Sequence, residues 1–236
     1  MRTPPDALPV LMYHSVAPYT EDPYRVTVRP ERFEQQLRWM HRRGLRATSV
    51  RELLAAWRSG TAAGLVGLTF DDGYADFCGH VIPALGRFGF TATVFVLADL
   101  LGGCNSWDPA GPRKPLMTAD QVRYAARQGM EIGSHGRRHV PLSGIDSAGL
   151  ATEVAGSRAI LEQVCGQRVT GFCYPYGQVD AQAVSAVRAA GYTYGCAIWR
   201  SPLTGLHALP RTYIGDRDGP LRLLAKWYRT RYSHPR

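Results

Sequence analysis

Short apolar runs rich in β-branched residues recur along this chain, at 10–13, 46–48, 65–70, 91–97, 130–134, 169–174, 192–198 and 208–214. Each has strand length, and most are separated by stretches whose apolar residues repeat with helical period. The helical stretches carry end signals. Pro30 opens 31–43, and Gly44 follows it as a stop. Ser49 with Glu52, and Thr118 with Gln121, are capping-box spacings that predict helices closing near Gly60 and Gly129. Asp180 precedes a helix that ends before Gly191. Eight strands alternating with helices predict a parallel α/β architecture, and eight is the number that closes a barrel. One stretch breaks the rhythm: 102–118 is a long Gly- and Pro-containing loop, the kind that barrels place over their sites.

Composition narrows the class. At 45% apolar and 20% charged residues the chain is that of an ordinary globular protein. No run reaches the roughly 18 apolar residues of a membrane helix. Nothing marks a boundary inside the 236 residues, which predicts one domain over 1–236 with a basic tail from about 220. Five cysteines at irregular spacing, without a CxxC pair, argue against a disulfide framework or a thiolate zinc site. The opening MRTPPDALPVLMYHSV lacks the charged and apolar regions of an export signal. Both observations predict a cytoplasmic protein. The net charge of +9 comes from 28 basic residues, all arginine except Lys114 and Lys226. They are scattered along helical faces without interleaved aromatics, which predicts a solvated surface and no nucleic-acid partner. The tail, with Trp227 and Tyr228 among its arginines, predicts a terminal helix docked on the barrel; weak contact with a membrane or anionic lipid is the alternative.

Three segments carry chemistry. In LTFDDGY at 68–74, two adjacent carboxylates, Asp71 and Asp72, end an apolar strand and enter a glycine. An Asp-Gly turn accounts for one aspartate but not for two, and two carboxylates buried together need a cation or a proton. In 133–139, His135 and His139 stand four apart just after a strand, so a helical turn would let them share one metal. With a strand-end carboxylate they make a His-His-Asp set that leaves positions open for water and substrate. In 172–177, Tyr174-Pro175-Tyr176-Gly177 is a tight turn able to aim backbone N–H groups at a barrel mouth, or simply a packed turn. Trp107 and Asp108 lie in the long loop, where Trp107 either walls a sugar subsite or packs the loop on the barrel.

These segments together resemble the NodB-type polysaccharide deacetylases, carbohydrate esterase family 4. TFDDG at 69–73 is similar to the first family motif, His135–His139 to the second, and Tyr174-Pro175-Tyr176 to most of the third. Met12-Tyr13-His14-Ser15-Val16 resembles the YHxV opening of a subgroup whose motif order is altered. The resemblance runs from about residue 10 to 214. It implies a distorted (β/α) barrel of seven or eight parallel strands, and hydrolysis of an N-acetyl group on a sugar. It also implies one divalent metal, Zn²⁺ first, with Co²⁺, Ni²⁺ or Fe²⁺ as alternatives. Carried over residue by residue, Asp71 is the general base, and Asp72, His135 and His139 hold the metal. The Tyr176 amide stabilises the oxyanion, and Pro175 shapes that turn.

Three departures from the family pattern follow. Gly136 stands where Ser or Thr usually follows the first histidine, removing a hydrogen bond that braces the loop. Cys173 stands where an arginine usually orients the catalytic aspartate, and Arg211, in LPRTY, is its expected replacement. The usual late Leu-x-His is absent: Leu206-His207 is mis-spaced. That leaves His14, at a strand end, as the expected proton donor, with His207 as the alternative. His41, His80 and His234 carry no expected role.

The substrate class implied is an N-acetylated carbohydrate: a polymer, a lipid- or nucleotide-linked sugar, or a glycoside intermediate. N-deacetylation of a small secondary metabolite is a second reading. An iron(II) oxygenase would use the same ligand types, but it leaves Asp71 without a role and is usual on all-β scaffolds. A catalytically weak carbohydrate-binding homologue would fit the Cys173 and Gly136 departures but not the intact Asp-His-His set.

Overall fold

Each of the eight apolar runs contributes to one parallel sheet in the computed structural model of this chain, which describes residues 8–198, 201 and 203–232. His234, the end of the basic tail and the first seven residues lie outside the described residues. In chain order, β1 (Val10–Tyr13), β2 (Ser15–Val16) and β3 (Thr27–Val28) precede α1 (Pro30–Arg42), β4 (Arg46–Thr48), α2 (Val50–Ser59) and β5 (Leu65–Phe70). A turn of π-helix (Phe77–Val81) runs into α3 (Ile82–Gly86), then β6 (Thr93–Val96), α4 (Ala119–Arg127) and β7 (Glu131–Ser134). A long helix follows, built from α5 (Ser147–Leu150), a π-helical stretch (Ala151–Gly156) and α6 (Ser157–Cys165). The chain ends with β8 (Gly171–Cys173), α7 (Ala181–Ala189), β9 (Tyr194–Cys196), β10 (Thr212–Tyr213) and α8 (Pro220–Tyr232).

The helix ends follow the sequence signals. Pro30 occupies the first turn of α1, and Gly60 ends α2 in the left-handed conformation. Thr118 and Gln121 exchange both bonds of a capping box. Ser49 caps α2 through the Glu52 N–H, but the Glu52 side chain turns away to Arg46 and Thr91, so only half of that expected box forms. The strands are shorter than their apolar runs. The 208–214 run keeps a two-residue strand, Thr212–Tyr213, and an isolated bridge at Leu209, separated by Pro210, which has no N–H to donate.

The sheet order is β10-β1-β5-β6-β7-β8-β9. β4 pairs with the start of β5, and β6 with its end (Thr48↔Gly67, Thr69↔Thr93). The sheet curls until its two ends meet. Leu209 bonds to Gly195 and Ala197 at β9, and three residues later Thr212 and Tyr213 pair with Leu11 and Met12 of β1. The result is a distorted (β/α) barrel. A separate pair, β2 with β3, lies beyond the end of β1 and has no counterpart among the predicted strands.

Strand side chains alternate between two cores. Outward residues such as Leu68, Phe70, Val94, Ile132 and Phe172 join the helices in one large cluster. Inward residues Val10, Phe95, Cys173, Tyr194, Cys196 and Leu209 fill the barrel, and Val50, Leu53 and Leu54 of α2 plug its lower end. Beside that plug the buried Glu131 accepts from the Arg51 N–H and from Thr93 and Thr170. The large inward rings fit because small residues face them: a β-carbon at Gly171 would fall 2.2 Å from the Tyr194 ring, and one at Gly133 would fall 2.4 Å from Phe95. α8 packs Leu223 into the outer core, as the docked-helix reading of the tail expects.

Overpacking this interior is expected to cost about 1–3 kcal/mol. Gly171→Ala should therefore lower Tm by roughly 2–12 °C, at about 2–4 °C per kcal/mol for a chain of this size. Adding Tyr194→Leu should recover part of the loss. A Tm unchanged by Gly171→Ala in thermal unfolding would contradict the packing described.

Candidate active site

The same alternation that fills the barrel aims its last inward layer at one mouth. Counting by twos, β1 ends Val10-Met12-His14, β5 ends Gly67-Thr69-Asp71, β7 ends Glu131-Gly133-His135, and the closing segment reads Leu209-Arg211. His14, Asp71, His135, Cys173 and Arg211 thus converge at the C-terminal ends of the strands, where barrel folds place their sites.

Arg211 is buried, with 1% of its surface exposed, and all five of its N–H groups are used. Nε donates to the Ala197 carbonyl (3.0 Å), Nη1 to Thr69 Oγ1 (3.1 Å) and Asp71 Oδ1 (2.6 Å), and Nη2 to Asp71 Oδ2 (2.7 Å) and Cys173 Sγ (3.1 Å). Burial pushes the Asp71 carboxyl up, but the charge and hydrogen bonds of Arg211 outweigh it and hold the group below its ordinary value. With that sign, the stabilisation from this pair is present above the ordinary carboxylate pKa and is lost as pH falls through the lower folded-state value. The structure thus places Arg211 against both oxygens of Asp71. Burial holds the neighbouring Cys173 thiol well above its ordinary pKa, despite the nearby Arg211 charge, so it is a neutral partner.

Asp72 takes a left-handed backbone (φ 71°), and Gly73 continues it (φ 68°), which carries the Asp72 side chain past Asp71 to a second cluster. Its Oδ1 lies 3.2 Å from His135 Nε2 and 3.3 Å from His139 Nε2. Neither contact has hydrogen-bond geometry, and Oδ1 is a buried oxygen without a hydrogen-bond partner. The His135 Nδ1 is 2.9 Å from the Cys173 carbonyl, so a proton there leaves the Nε2 lone pair facing Asp72. Two imidazole nitrogens and one carboxylate oxygen converging without hydrogen bonds among them is a donor set that fits zinc or a related divalent ion. A second convergent set, Asp71 with His135 and Cys173, does not fit a cation, because the Arg211 guanidinium already holds Asp71 there.

Two loops hold these groups in place. His139 is left-handed (φ 60°) and sits between Trp107, stacked at 4.4 Å, and the edge of Tyr176 at 4.5 Å. Tyr176 is itself left-handed (φ 56°) and about half exposed, and Pro175 beside it is buried. Three of the four described non-glycine residues with positive φ are thus Asp72, His139 and Tyr176. Strained backbone of this kind persists where the surroundings over-determine it. Gly136 has no hydroxyl with which to brace the loop between the histidines, and other groups brace it. Glu153, buried in the long helix, accepts from the N–H groups of Arg137 (2.7 Å) and Arg138 (3.2 Å), and Ser134 Oγ accepts from the Gly136 N–H. Glu153 has no local signal in the sequence, where it is one acidic residue on a helix face.

His14 Nε2 lies 4.0 Å from Asp71 Oδ2, and its Nδ1 is buried without a hydrogen-bond partner. His207 is at the other end of the barrel, its Nε2 3.0 Å from the Tyr192 carbonyl before β9, which removes it as a proton donor at this mouth. Asp108, half-buried in the long loop, is raised by burial and by the Asp72 charge.

A family model described as polysaccharide deacetylase matches residues 58–195, a span that holds Asp71, Asp72, His135, His139 and Tyr176 but neither His14 nor Arg211. YxkH of Bacillus subtilis, whose name places it among polysaccharide deacetylases, is 28% identical over 215 residues, 89% of this chain and 72% of that protein. A chitin deacetylase of Arthroderma benhamiae is 31% identical over 117 residues, 49% of this chain and 29% of its own length. The structure of Streptococcus pyogenes deacetylase PplD in complex with acetate aligns with a TM-score of 0.78 over 93% of this chain and 97% of that one, at 26% identity.

Gly136 has φ +82°, and a β-carbon there would meet Glu153 Oε2 at 3.2 Å. Restoring the residue type usual in similar motifs, by Gly136→Ser, is therefore expected to destabilise by about 1–3 kcal/mol. Thermal unfolding checks this; a rise in Tm would show that the loop is held otherwise.

Proposed function

The chain belongs to the polysaccharide deacetylase family, and from that premise we propose that it hydrolyses the N-acetyl group of an N-acetylated sugar, releasing acetate and a free amine. The observation that carries this reading is the pair of adjacent clusters. Asp72, His135 and His139 form a three-donor set, and Asp71, within reach of His14, is held separately by Arg211.

Asp72, His135 and His139 would hold a divalent cation, best Zn²⁺, which when bound polarises the acetyl carbonyl and makes water acidic enough to lose a proton near neutrality. Asp71 takes that proton as the water oxygen bonds to the acetyl carbon. A carboxylate held below its ordinary value is a weak base. It therefore suits an acidified water and not a bulk one. Arg211 keeps it ionised and fixes both oxygens, so its direction does not have to be found during the reaction. The left-handed turn at Tyr176 presents its backbone N–H to the carbonyl oxygen as negative charge develops there. His14 Nε2 delivers a proton to the amine nitrogen as the C–N bond breaks, and its 4.0 Å approach to Asp71 lets the proton gained at the first step pass on. Trp107 and the exposed face of Tyr176 form the aromatic walls against which a pyranose ring stacks.

The test is acetate release, followed by mass spectrometry, from N-acetylated monosaccharides, lipid-linked sugars and oligomers, with zinc-loaded and chelated enzyme. Zinc-loaded enzyme should release acetate and chelated enzyme should not. Asp72→Ala, His135→Ala and His139→Ala should each lose stoichiometric metal in elemental analysis while remaining folded. No release from any substrate, or full release by chelated enzyme, would overturn the reading.

The roles divide further. Asp71→Asn should retain metal and lose on the order of a hundredfold or more in kcat. His14→Ala should slow an amide far more than an activated acetyl ester, whose leaving group needs no proton. Equal slowing of the two, or loss of metal from Asp71→Asn, would show the assignments to be wrong.

A further inference from the structure

The strand that closes the barrel leads to a second feature on the same rim. Tyr213 pairs with Met12, two residues before His14, so the loop after β10 emerges at the mouth beside β2 and β3. Between that loop, the β3 approach and α8 lies a cavity of about 530 Å³, whose wall includes Arg25, Thr27, Tyr213, Arg217 and Arg222.

The charges in this wall are not balanced. Its three carboxylates are already hydrogen-bonded, two of them to cations, while the charge of Asp22 stays uncancelled against three arginines. Asp22 accepts from the Val26 and Thr27 N–H groups, Asp216 from Arg29 and Tyr19, and Asp218 from the Gly215 N–H and Lys226. No carboxylate of the described residues lies within ion-pair distance of Arg25, Arg217 or Arg222, which leaves three guanidinium groups around one opening. Two placements run against local preference. Arg222 stands in the first turn of α8, a turn without an acidic residue, where the helix dipole disfavours a cation. Arg25 is the one described non-glycine residue of positive φ outside the catalytic cluster (φ 57°), and its carbonyl is held by the Tyr213 hydroxyl. Three guanidinium groups without carboxylate partners round one cavity suit an anionic ligand. The guanidinium fork matches the paired oxygens of a phosphate.

We propose that this cavity binds the phosphate of a phosphorylated N-acetyl sugar, monoester or diester, whose sugar ring lies along the rim towards Asp71. The proposal rests on the deacetylase reading above and names the substrate class for it: a sugar that carries phosphate, free or linked through it to a nucleoside or a lipid.

The experiment compares kcat/KM for acetate release from N-acetylglucosamine, its 1-phosphate and a short polyprenyl diphosphate-linked N-acetylglucosamine, using the zinc-loaded full chain and its Arg25→Gln/Arg222→Gln variant. Binding of inorganic pyrophosphate to both proteins is measured by calorimetry. Wild type is expected to favour at least one phosphorylated substrate tenfold or more. A preference for the 1-phosphate alone identifies a free phosphate, and one for the polyprenyl substrate alone identifies the lipid-linked form. The variant should lose at least tenfold of that ratio and should bind pyrophosphate at least tenfold more weakly. Equal kcat/KM for neutral and phosphorylated sugars, or a ratio that the variant preserves, overturns the cavity's role and leaves the deacetylase reading intact. No acetate from any substrate, with pyrophosphate still held through Arg25 and Arg222, overturns the deacetylase reading and leaves the anion site.

Discussion

The buried pair between Arg211 and Asp71 is the interaction on which the rest of the site depends. Each partner alone would carry an uncompensated charge in a barrel interior, a state that costs about 3–5 kcal/mol when one member of such a pair is removed. Together they satisfy two guanidinium donors and both carboxylate oxygens, and Ala197, Thr69 and Cys173 take the other three donors. The pair also sits at the seam of the sheet: the segment that bears Arg211 bonds to β9 on one side and to β1 on the other. Closing the barrel and orienting Asp71 are thus one event. A chain that failed to bring 209–213 between those strands would lose the seam and the aim of the carboxylate together.

The neighbouring Asp72 is separated from that pair by a single backbone conformation. A strand would point Asp72 away from Asp71 and into the outer core. The left-handed φ at Asp72 and Gly73 returns it to the mouth instead, where it meets the two histidines. Two like charges one residue apart are tolerable because each has its own counter-group, the guanidinium for Asp71 and the imidazole pair, with the cation they would hold, for Asp72. The same economy shows in the loop between the histidines. Glu153 takes up N–H groups that a loop of this shape would otherwise leave unpaired, and its carboxylate fills the space beside Gly136.

How much of this was legible in the sequence follows from what is local. All eight sheet strands, the helix ends at Pro30, Thr118 and Asp180, and the Asp71-Asp72 and His135-His139 segments carry signals within a few residues. Those signals correspond to elements found in the structure. The Arg211 partnership spans 140 residues; it was visible only through the family resemblance, which leaves an arginine missing at Cys173, and through the place of Arg211 in the last predicted strand. The brace from Glu153, the β2-β3 pair and the Arg25–Arg222 cavity had no such prompt. Each is assembled from residues that look like ordinary surface until the fold brings them together. The expected box at Glu52 failed for a related reason, since Arg46 and Thr91 compete for the same carboxylate once β4 and β6 flank β5.

The ionisation of Asp71 tests this dependence most directly. Its side-chain carboxyl can be followed by carbon-detected NMR across an acid titration of the metal-free protein, in wild type and in Arg211→Met. Wild-type Asp71 should titrate below the ordinary aspartate value, and Arg211→Met should move it upward, past that value, because burial then acts without its counter-charge. An Asp71 that titrates at the same pH in both proteins would contradict the role given to Arg211.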